Sequence, residues 1–272
     1  RSPAARAPST RPPLSATLAS QRTRRCHVYA KMNSRQARVA RPVDIARQLA
    51  NGALGGTYTD GVLLLSALVS GLAAEAWPDG PDRARFVELL VRNTPPESGA
   101  SRVSLPLLVR HLRVSGHHPV AATIEQSRPG MFGPGHDSRV LTGDDVDTDD
   151  EDFLLSAGVD RRTVRLHSYA SVLYKHVRCS VVHEYQLGRS ATAWPMTSKV
   201  TDISYSNLLI KSLARPGTPD DEPELRPRSV LRQIHFRIDW LASLALMAAA
   251  ARGDGGELPP PTAWWLDGND VG

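Results

Sequence analysis

The chain has 272 residues, of which 41% are hydrophobic and 6% aromatic, so one large domain or two small ones can form around Leu, Val and Ala. Its two cysteines, Cys26 and Cys179, exclude a disulfide framework and favour a reducing compartment. We therefore expect a cytoplasmic protein.

The formal net charge of +5 is concentrated at the N-terminus. The first 43 residues contain ten Arg and Lys and no acidic residue, which leaves 23 basic against 28 acidic residues beyond them. This balance does not support a globally basic surface for nucleic acid. Residues 1–41 are expected to be disordered or non-native. A phosphate-binding tail, an organelle-targeting peptide and upstream sequence before a natural start at Met32 all fit their composition.

Helical patterns begin near residue 42. Residues 43–49 predict a short first helix after Pro42, ended by Gly52, Gly55 and Gly56. The apolar run 61–77 predicts a second helix, capped by Thr59 or Asp60 and placed in the middle of a bundle. This run is shorter than the ~20 residues of a membrane span and rich in Ala, Gly and Ser, so we expect no membrane contact. Two further helices are predicted at 83–92 and 105–114.

Residues 115–152 are rich in Gly and Pro and are predicted to form a long surface loop. The loop ends in the acidic run 144–152. A calcium-binding loop that starts at Asp145 is excluded, because Asp150 stands where glycine is needed and Ser156 where glutamate is needed. We therefore expect this run to be a solvated, flexible face without a bound metal.

The second half of the chain predicts one long helix and then a change of pattern. Asp160 or Thr163 caps the long helix, which continues into the segment 173–185. Beyond it, apolar residues alternate with polar ones in a small β element near 199–238. The strand candidates within this element are 200–205, 208–210 and 234–238.

The predicted fold class is mainly α. We expect a single domain, 42–252, built as a four- or five-helix antiparallel bundle with the β element near 199–238 inserted. A last helix is predicted at 240–251. The tail, 253–272, is either disordered or a strap across the surface.

One pair of residues indicates chemistry. Arg178 and His183 are separated by four residues in an otherwise apolar, helical segment. A guanidinium and an imidazole close together can hold and cut a phosphodiester. The spacing alone is not specific, because Arg113/His118 and others share it. Only the pair in 173–185 lies in a segment that would hold both side chains against a core.

This segment resembles the signature of the HEPN superfamily, helical bundles marked by Arg, four to six residues, then His. Tyr174 ahead of Arg178 and Glu184 after His183 fit the resemblance. The resemblance implies a metal-independent endoribonuclease without a cofactor. His183 would act as general base or acid and Arg178 would bind the nonbridging oxygens. It further implies RNA as partner and a homodimer. A role as bacterial toxin or defence effector, with an antitoxin or other protein partner, is a further hypothesis.

Two features keep other functions open. Cys179 stands where active members often carry Asn, Asp or His, so a non-catalytic HEPN-like domain that binds a nucleotide, nucleic acid or protein is the alternative. Positions five apart on an ideal helix are rotated by about 140°, so Arg178 and His183 share a face only if the helix distorts. In a third interpretation, an interaction scaffold, they pair with Glu184 or Asp202.

Overall fold

The computed structural model describes residues 34–128, 141–194, 201–210, 229–251, 258–259 and 261–267. Within these ranges the chain is mainly helical, with a small antiparallel sheet. The α-helices are α1 (Ser34–Ala50), α2 (Tyr58–Ala76), α3 (Asp82–Arg92), α4 (Leu105–Val114), α5 (His118–Ser127), α6 (Gly143–Val146), α7 (Glu151–Ser156), α8 (Arg161–Leu166), α9 (Tyr169–Val172), α10 (Cys179–Glu184) and α11 (Ile238–Ala251). A π-helix, Leu173–Arg178, joins α9 to α10. The strands are β1 (Leu141–Thr142), β2 (Ile203–Ile210) and β3 (Ser229–Phe236).

Helix α1 begins earlier than the sequence predicts and contains Pro42 in its interior. Residues 34–41, assigned to the basic N-terminal segment, are therefore part of the fold. Val39, Val43 and Ala46 are buried at helical spacing, and α1 packs against α2 and α11. This burial outweighs the hydrogen bond that a proline removes from a helix. Residues 1–33 lie outside the described residues.

Helix α2 is the apolar helix expected from residues 61–77. Thr57 is its N-cap, and a capping box joins Thr57 to Asp60. The helix packs against α1, α3, α11 and the π-helix. Among the described helices, α2 alone has the length and hydropathy that a membrane span requires. Its buried residues belong to the core, so this one helix is weak evidence for a span and the fold is consistent with a soluble protein.

The prediction of a long surface loop over 115–152 is wrong for the described part of that range. Helix α5 lies against α4 and is held there by an ion pair of 2.6 Å between Arg113 and Glu125. Acidic residues then act as helix caps: Asp145 completes a capping box with Thr142, and Asp150 accepts from Phe153 N. Residues 129–140 lie outside the described residues.

Asp147 is the clearest departure from a solvated acidic face, because it is 6% exposed. Its carboxylate accepts hydrogen bonds from the hydroxyls of Tyr169 and Tyr205 and from Leu105 N at 3.1 Å. Burial raises the pKa of Asp147 to about 7, while these hydrogen bonds and the Arg102 charge oppose the rise. The carboxyl thus joins α4, α9 and β2 inside the core.

The sheet lies where the β element near 199–238 is predicted. β2 pairs antiparallel with β3 in the register Ile203 with Phe236, and with β1 on its other side. Residues 208–210 belong to β2 and are not a separate strand. The third strand, β1, comes instead from the range predicted to be a loop. Residues 195–200 and 211–228 lie outside the described residues.

The predicted long helix after Asp160 is interrupted. Asp160 caps α8 by accepting from Thr163 N at 2.9 Å, but the chain leaves helical geometry at His167. Ser168 then caps a new helix. From Tyr169 onward, α9, the π-helix and α10 run as one continuous helix to Glu184. The interruption matters because it places His167 beside α4.

The described part of the tail forms a strap across the surface. Trp264 packs edge-on against Trp77, whose indole donates to Pro259 O at 3.1 Å. The backbone N–H of Trp265 donates to the buried carboxylate of Glu88 at 2.7 Å, and Trp265 O accepts from Arg165 at 2.6 Å. The strap therefore satisfies polar groups that α3 and α8 bury.

Stability should depend on pH through Asp147. The folded-state pKa of Asp147, about 7, lies above the ordinary value of 3.8. The stabilisation that comes from the protonated carboxyl is therefore fully present below about pH 4, and it is lost as pH rises through about 7. Asp147→Asn should remove this loss, which is at most about 1.4 kcal/mol per pH unit. Urea unfolding of both proteins between about pH 5 and about pH 8 measures it. Asp152→Asn, an exposed control, should keep the natural slope; equal slopes for the natural chain and Asp147→Asn would contradict the assignment.

Glu88→Ala should release the strap, because the N–H of Trp265 loses its acceptor. We expect a loss of about 2–4 kcal/mol in the free energy of unfolding, together with faster protease cleavage beyond residue 258. Urea unfolding and limited proteolysis followed by mass spectrometry report the two effects. Glu97→Ala, at an exposed site, is the control, and an intact tail in Glu88→Ala would show that Glu88 does not hold it.

Candidate functional site

The continuous helix 169–184 carries the sequence-predicted site. The π-helix contains Tyr174 and ends at Arg178, whose Nη2 lies 2.8 Å from a carboxylate oxygen of Asp82 at the start of α3. Arg178 Nε lies 3.4 Å from Ser70 Oγ in α2. Its guanidinium carbon is 5.2 Å from the centre of the Tyr174 ring. π-Helical turns occur often at functional sites, and here the turn directs Arg178 into the contact between α2 and α3.

Asp82 is the centre of this group. Its carboxylate accepts from the Tyr174 hydroxyl at 2.7 Å and from Arg85 at 3.1 Å, in addition to the ion pair with Arg178. Burial opposes ionisation, but these hydrogen bonds and the two guanidinium charges lower the pKa of Asp82. The carboxylate is therefore charged at neutral pH and compensates the charge of Arg178.

His183 lies apart from this group. It is exposed in the last turn of α10 and has no hydrogen bond or ion pair among the described residues. Glu184 is also exposed and accepts from Gln186 at 3.1 Å. Cys179 Sγ lies 4.0 Å from Arg178 Nη1. The structure thus brings Arg178, Tyr174 and Cys179 together, and it joins neither His183 nor Glu184 to them by a hydrogen bond.

A second group of basic residues surrounds a cavity of about 270 Å³ on another side of the same helix. We call it the cationic cavity. Its polar lining consists of Arg83, Arg110, His111, His167, Lys175 and His176, together with Ser190. Its apolar lining includes Leu107 and Val172, which are buried. Among the described residues that line it, none is acidic.

Burial keeps two imidazoles of the cationic cavity, those of His167 and His176, neutral at pH 7. Burial lowers the pKa of His167 to about 4, and the neighbouring His111, Lys175 and His176 contribute to this lowering. The hydrogen bond to Thr163 O acts in the opposite direction and raises this pKa. The pKa of His176 is also lowered to about 4, by burial and by Lys175, Arg110 and Arg83. His167 Nδ1 lies 2.8 Å from Thr163 O, and since a carbonyl only accepts, Nδ1 carries the proton.

The two permanent guanidinium charges of the cavity are also left without compensation. Burial lowers the pKa of Arg83, whose Nε is buried without a hydrogen-bond partner among the described residues. Burial and the neighbouring Arg189 lower the pKa of Arg110. The cavity therefore holds positive charge that no described carboxylate balances.

Two other cavities are lined by carboxylates as well as arginines. The cavity of about 210 Å³ beside Trp240 is mainly acidic, and the Arg102 that lines it forms ion pairs with Asp144 at 2.6 Å and Asp149 at 3.0 Å. The groove of about 860 Å³ beside Trp77 contains arginines together with Glu75 and Asp79. Neither concentrates positive charge as the cationic cavity does.

Most of the cationic cavity was missed by sequence analysis. Lys175 and His176 are next to Arg178, but their partners come from α3, α4 and the interruption at His167. One signal was present: a basic residue followed by His occurs both as Arg110-His111 at the end of α4 and as Lys175-His176. Only the packing of these helices shows that the two pairs face each other.

The fold and this site together define a mainly helical protein with a basic cavity. No group of three or more His, Cys, Asp or Glu suited to holding a metal ion is found within the described ranges. The chain matches no protein-family model, and comparisons with curated proteins and with solved structures found no significant match.

Replacing Arg178 should test whether it acts structurally. Arg178→Ala removes one partner of a part-buried ion pair, so we expect a loss of about 1–3 kcal/mol in the free energy of unfolding. His183→Ala, at an exposed site, should change it by less than ~0.5 kcal/mol. Urea unfolding measures both. Arg178→Ala with unchanged stability would mean that the pair with Asp82 contributes nothing to the free energy of unfolding.

Proposed function

We propose that this chain is a helical domain that binds the phosphate groups of RNA. Binding in this proposal does not require cleavage of the RNA. The observation that carries the proposal is the cationic cavity, where six basic side chains from separate segments meet without a described carboxylate. Arg, Lys and His supply the phosphate contacts that dominate nucleic-acid affinity. Arg178 is not part of this surface, because Asp82 already compensates its charge.

The resemblance of 173–185 to the HEPN signature favours RNA over other polyanions. It also supports the finer proposals of a four- or five-helix antiparallel bundle and of a homodimer. A cytoplasmic location, and a toxin or defence role with an antitoxin or other protein partner, are proposals of the same standing. The cationic cavity supports none of these by itself, but it lies on the helix that carries the resemblance.

RNA binding should weaken when the cavity loses charge. In Arg110→Ala/Lys175→Ala, affinity for a labelled single-stranded RNA of about 20 nucleotides should fall roughly tenfold or more. The slope of log affinity against log salt should become shallower by about two, one for each lost phosphate contact. Fluorescence anisotropy in EDTA, at several salt concentrations, measures both quantities.

The matched control is Arg38→Ala/Arg41→Ala, which removes two exposed cations from α1 and should have a much smaller effect. Circular dichroism checks that both double variants are folded. Equal losses in the two variants would show that the binding is diffuse electrostatic attraction. Absence of RNA binding by the natural chain at low salt would exclude the proposed function.

A second candidate function is the metal-independent endoribonuclease that the HEPN resemblance implies. Its support is that His183 is exposed and without a described partner, on the same continuous helix as Arg178. In that reaction, His183 would take the proton of a ribose 2′-hydroxyl. The 2′-oxygen would attack the adjacent phosphorus, and the 5′-oxygen would leave with a proton, giving a 2′,3′-cyclic phosphate. DNA would not be cut because it lacks the 2′-hydroxyl.

Cleavage is tested separately from binding. If the chain is a ribonuclease, labelled RNA incubated in EDTA should give products with 2′,3′-cyclic ends, and His183→Ala should lose at least about 100-fold in rate. His118→Ala, at another exposed histidine, is the control. If the RNA is bound but its length and its end groups stay unchanged throughout the incubation, cleavage is rejected and the binding proposal remains in place.

A further inference from the structure

The cationic cavity has features that a diffuse basic surface lacks. Its charged groups come from different segments and converge: Arg83 from α3, Arg110 from α4 and Lys175 from the π-helix. Three imidazoles complete the lining. Each of these cations lacks an ion pair with any described residue, and Arg83 Nε is buried without a hydrogen-bond partner there. Positive charge collected in one small space without compensation favours an anion that enters it.

The dimensions of the cavity limit that anion. About 270 Å³ is close to the lower end of the ~300–1,000 Å³ typical of small-molecule sites. The buried side chains of Leu107 and Val172 form part of its wall, so the core closes the cavity on that side. A phosphate in the middle of an RNA strand needs a path for the chain on both sides. A phosphate at the end of a strand needs only one opening.

The number of cations favours the terminal phosphate on charge as well. A bridging phosphodiester carries one negative charge, whereas a phosphate monoester carries about −1.5 to −2 at neutral pH and offers three acceptor oxygens. Three permanent cations facing one cavity match the second ligand better. The neutral imidazole of His176 can add an N–H donor without adding repulsion, whereas the N–H of neutral His167 is already donated to Thr163 O.

We infer that the cationic cavity binds the terminal phosphate of an RNA strand, as a phosphate monoester. The inference rests on the proposed RNA binding and adds its ligand group. Arg83 and Arg110 would pair with the phosphate oxygens, and Lys175 at the exposed edge would meet the incoming strand end. Internal phosphates of the same strand would contact the exposed arginines around the opening, such as Arg189.

The experiment compares three forms of one labelled oligoribonucleotide on the full chain in EDTA: 5′-phosphorylated, 3′-phosphorylated and with hydroxyls at both ends. At least one phosphorylated form should bind about tenfold more tightly than the hydroxyl form. Inorganic phosphate should abolish that advantage at a concentration that leaves binding of the hydroxyl form unchanged. Equal affinity for the three forms would overturn the inference but keep the proposed function, and no binding of any form would reject the proposed function itself.

Variants then locate the site. Lys175→Ala and His176→Ala should each remove most of the advantage of the terminal phosphate, whereas Arg41→Ala and His117→Ala, matched exposed controls outside the cavity, should keep it. If the cavity variants fail to fold, the natural chain still gives an answer, because it has only four lysines. Modification of Lys175 by an amine-reactive reagent, measured by mass spectrometry, should slow with the phosphorylated strand and not with the hydroxyl strand. Equal protection by both strands would also overturn the inference.

Discussion

The carboxylate of Asp82 fixes the orientation of the helix on which both sites depend. It binds Arg178 and the hydroxyl of Tyr174, and so holds the π-helical turn against α2 and α3. Because Arg178 is directed into that contact, Lys175 and His176 face α4 and the cationic cavity. The ion pair with Asp82 thus gives Arg178 a structural partner, whereas the neighbouring Lys175 and His176 have no described ion pair. The same separation explains why RNA binding is proposed ahead of cleavage.

Uncompensated cations are costly in a folded protein, so the cationic cavity needs a physical account. Burial lowers the pKa values of His167 and His176 to about 4, which keeps two of its six basic groups neutral at pH 7 and limits their repulsion. An anion that enters would supply the missing negative charge. Arginines that serve only the fold are treated differently in this protein: Arg102 and Arg165 each meet carboxylates. The cationic cavity differs from the rest of the described structure in collecting several unpaired cations in one place.

Several elements could be predicted because a local cause decides them. Pro78 and Gly80 follow the end of α2, Asp160 caps α8, and alternating residues around Phe236 mark β3. Other elements depend on packing. Pro42 predicts a helix start, but burial against α2 and α11 continues α1 through it. The run 144–152 is read as solvated from its charge, yet Asp147 is buried because two tyrosines distant in sequence, Tyr169 and Tyr205, bind it.

By itself the sequence determined a mainly helical chain with a small β element near 199–238, and it singled out the segment 173–185. Those features follow from periodicity, caps and breakers that act within a few residues. The tertiary structure alone decided how the residues of that segment are used. Arg178 meets Asp82, which lies 96 positions earlier in the chain, while Lys175 and His176 line one cavity with Arg110 and His111. Such juxtapositions depend on how separate helices pack. The order of residues along one helix does not encode which distant side chain will neutralise a given charge. Nor does it encode which charges will be left without a partner.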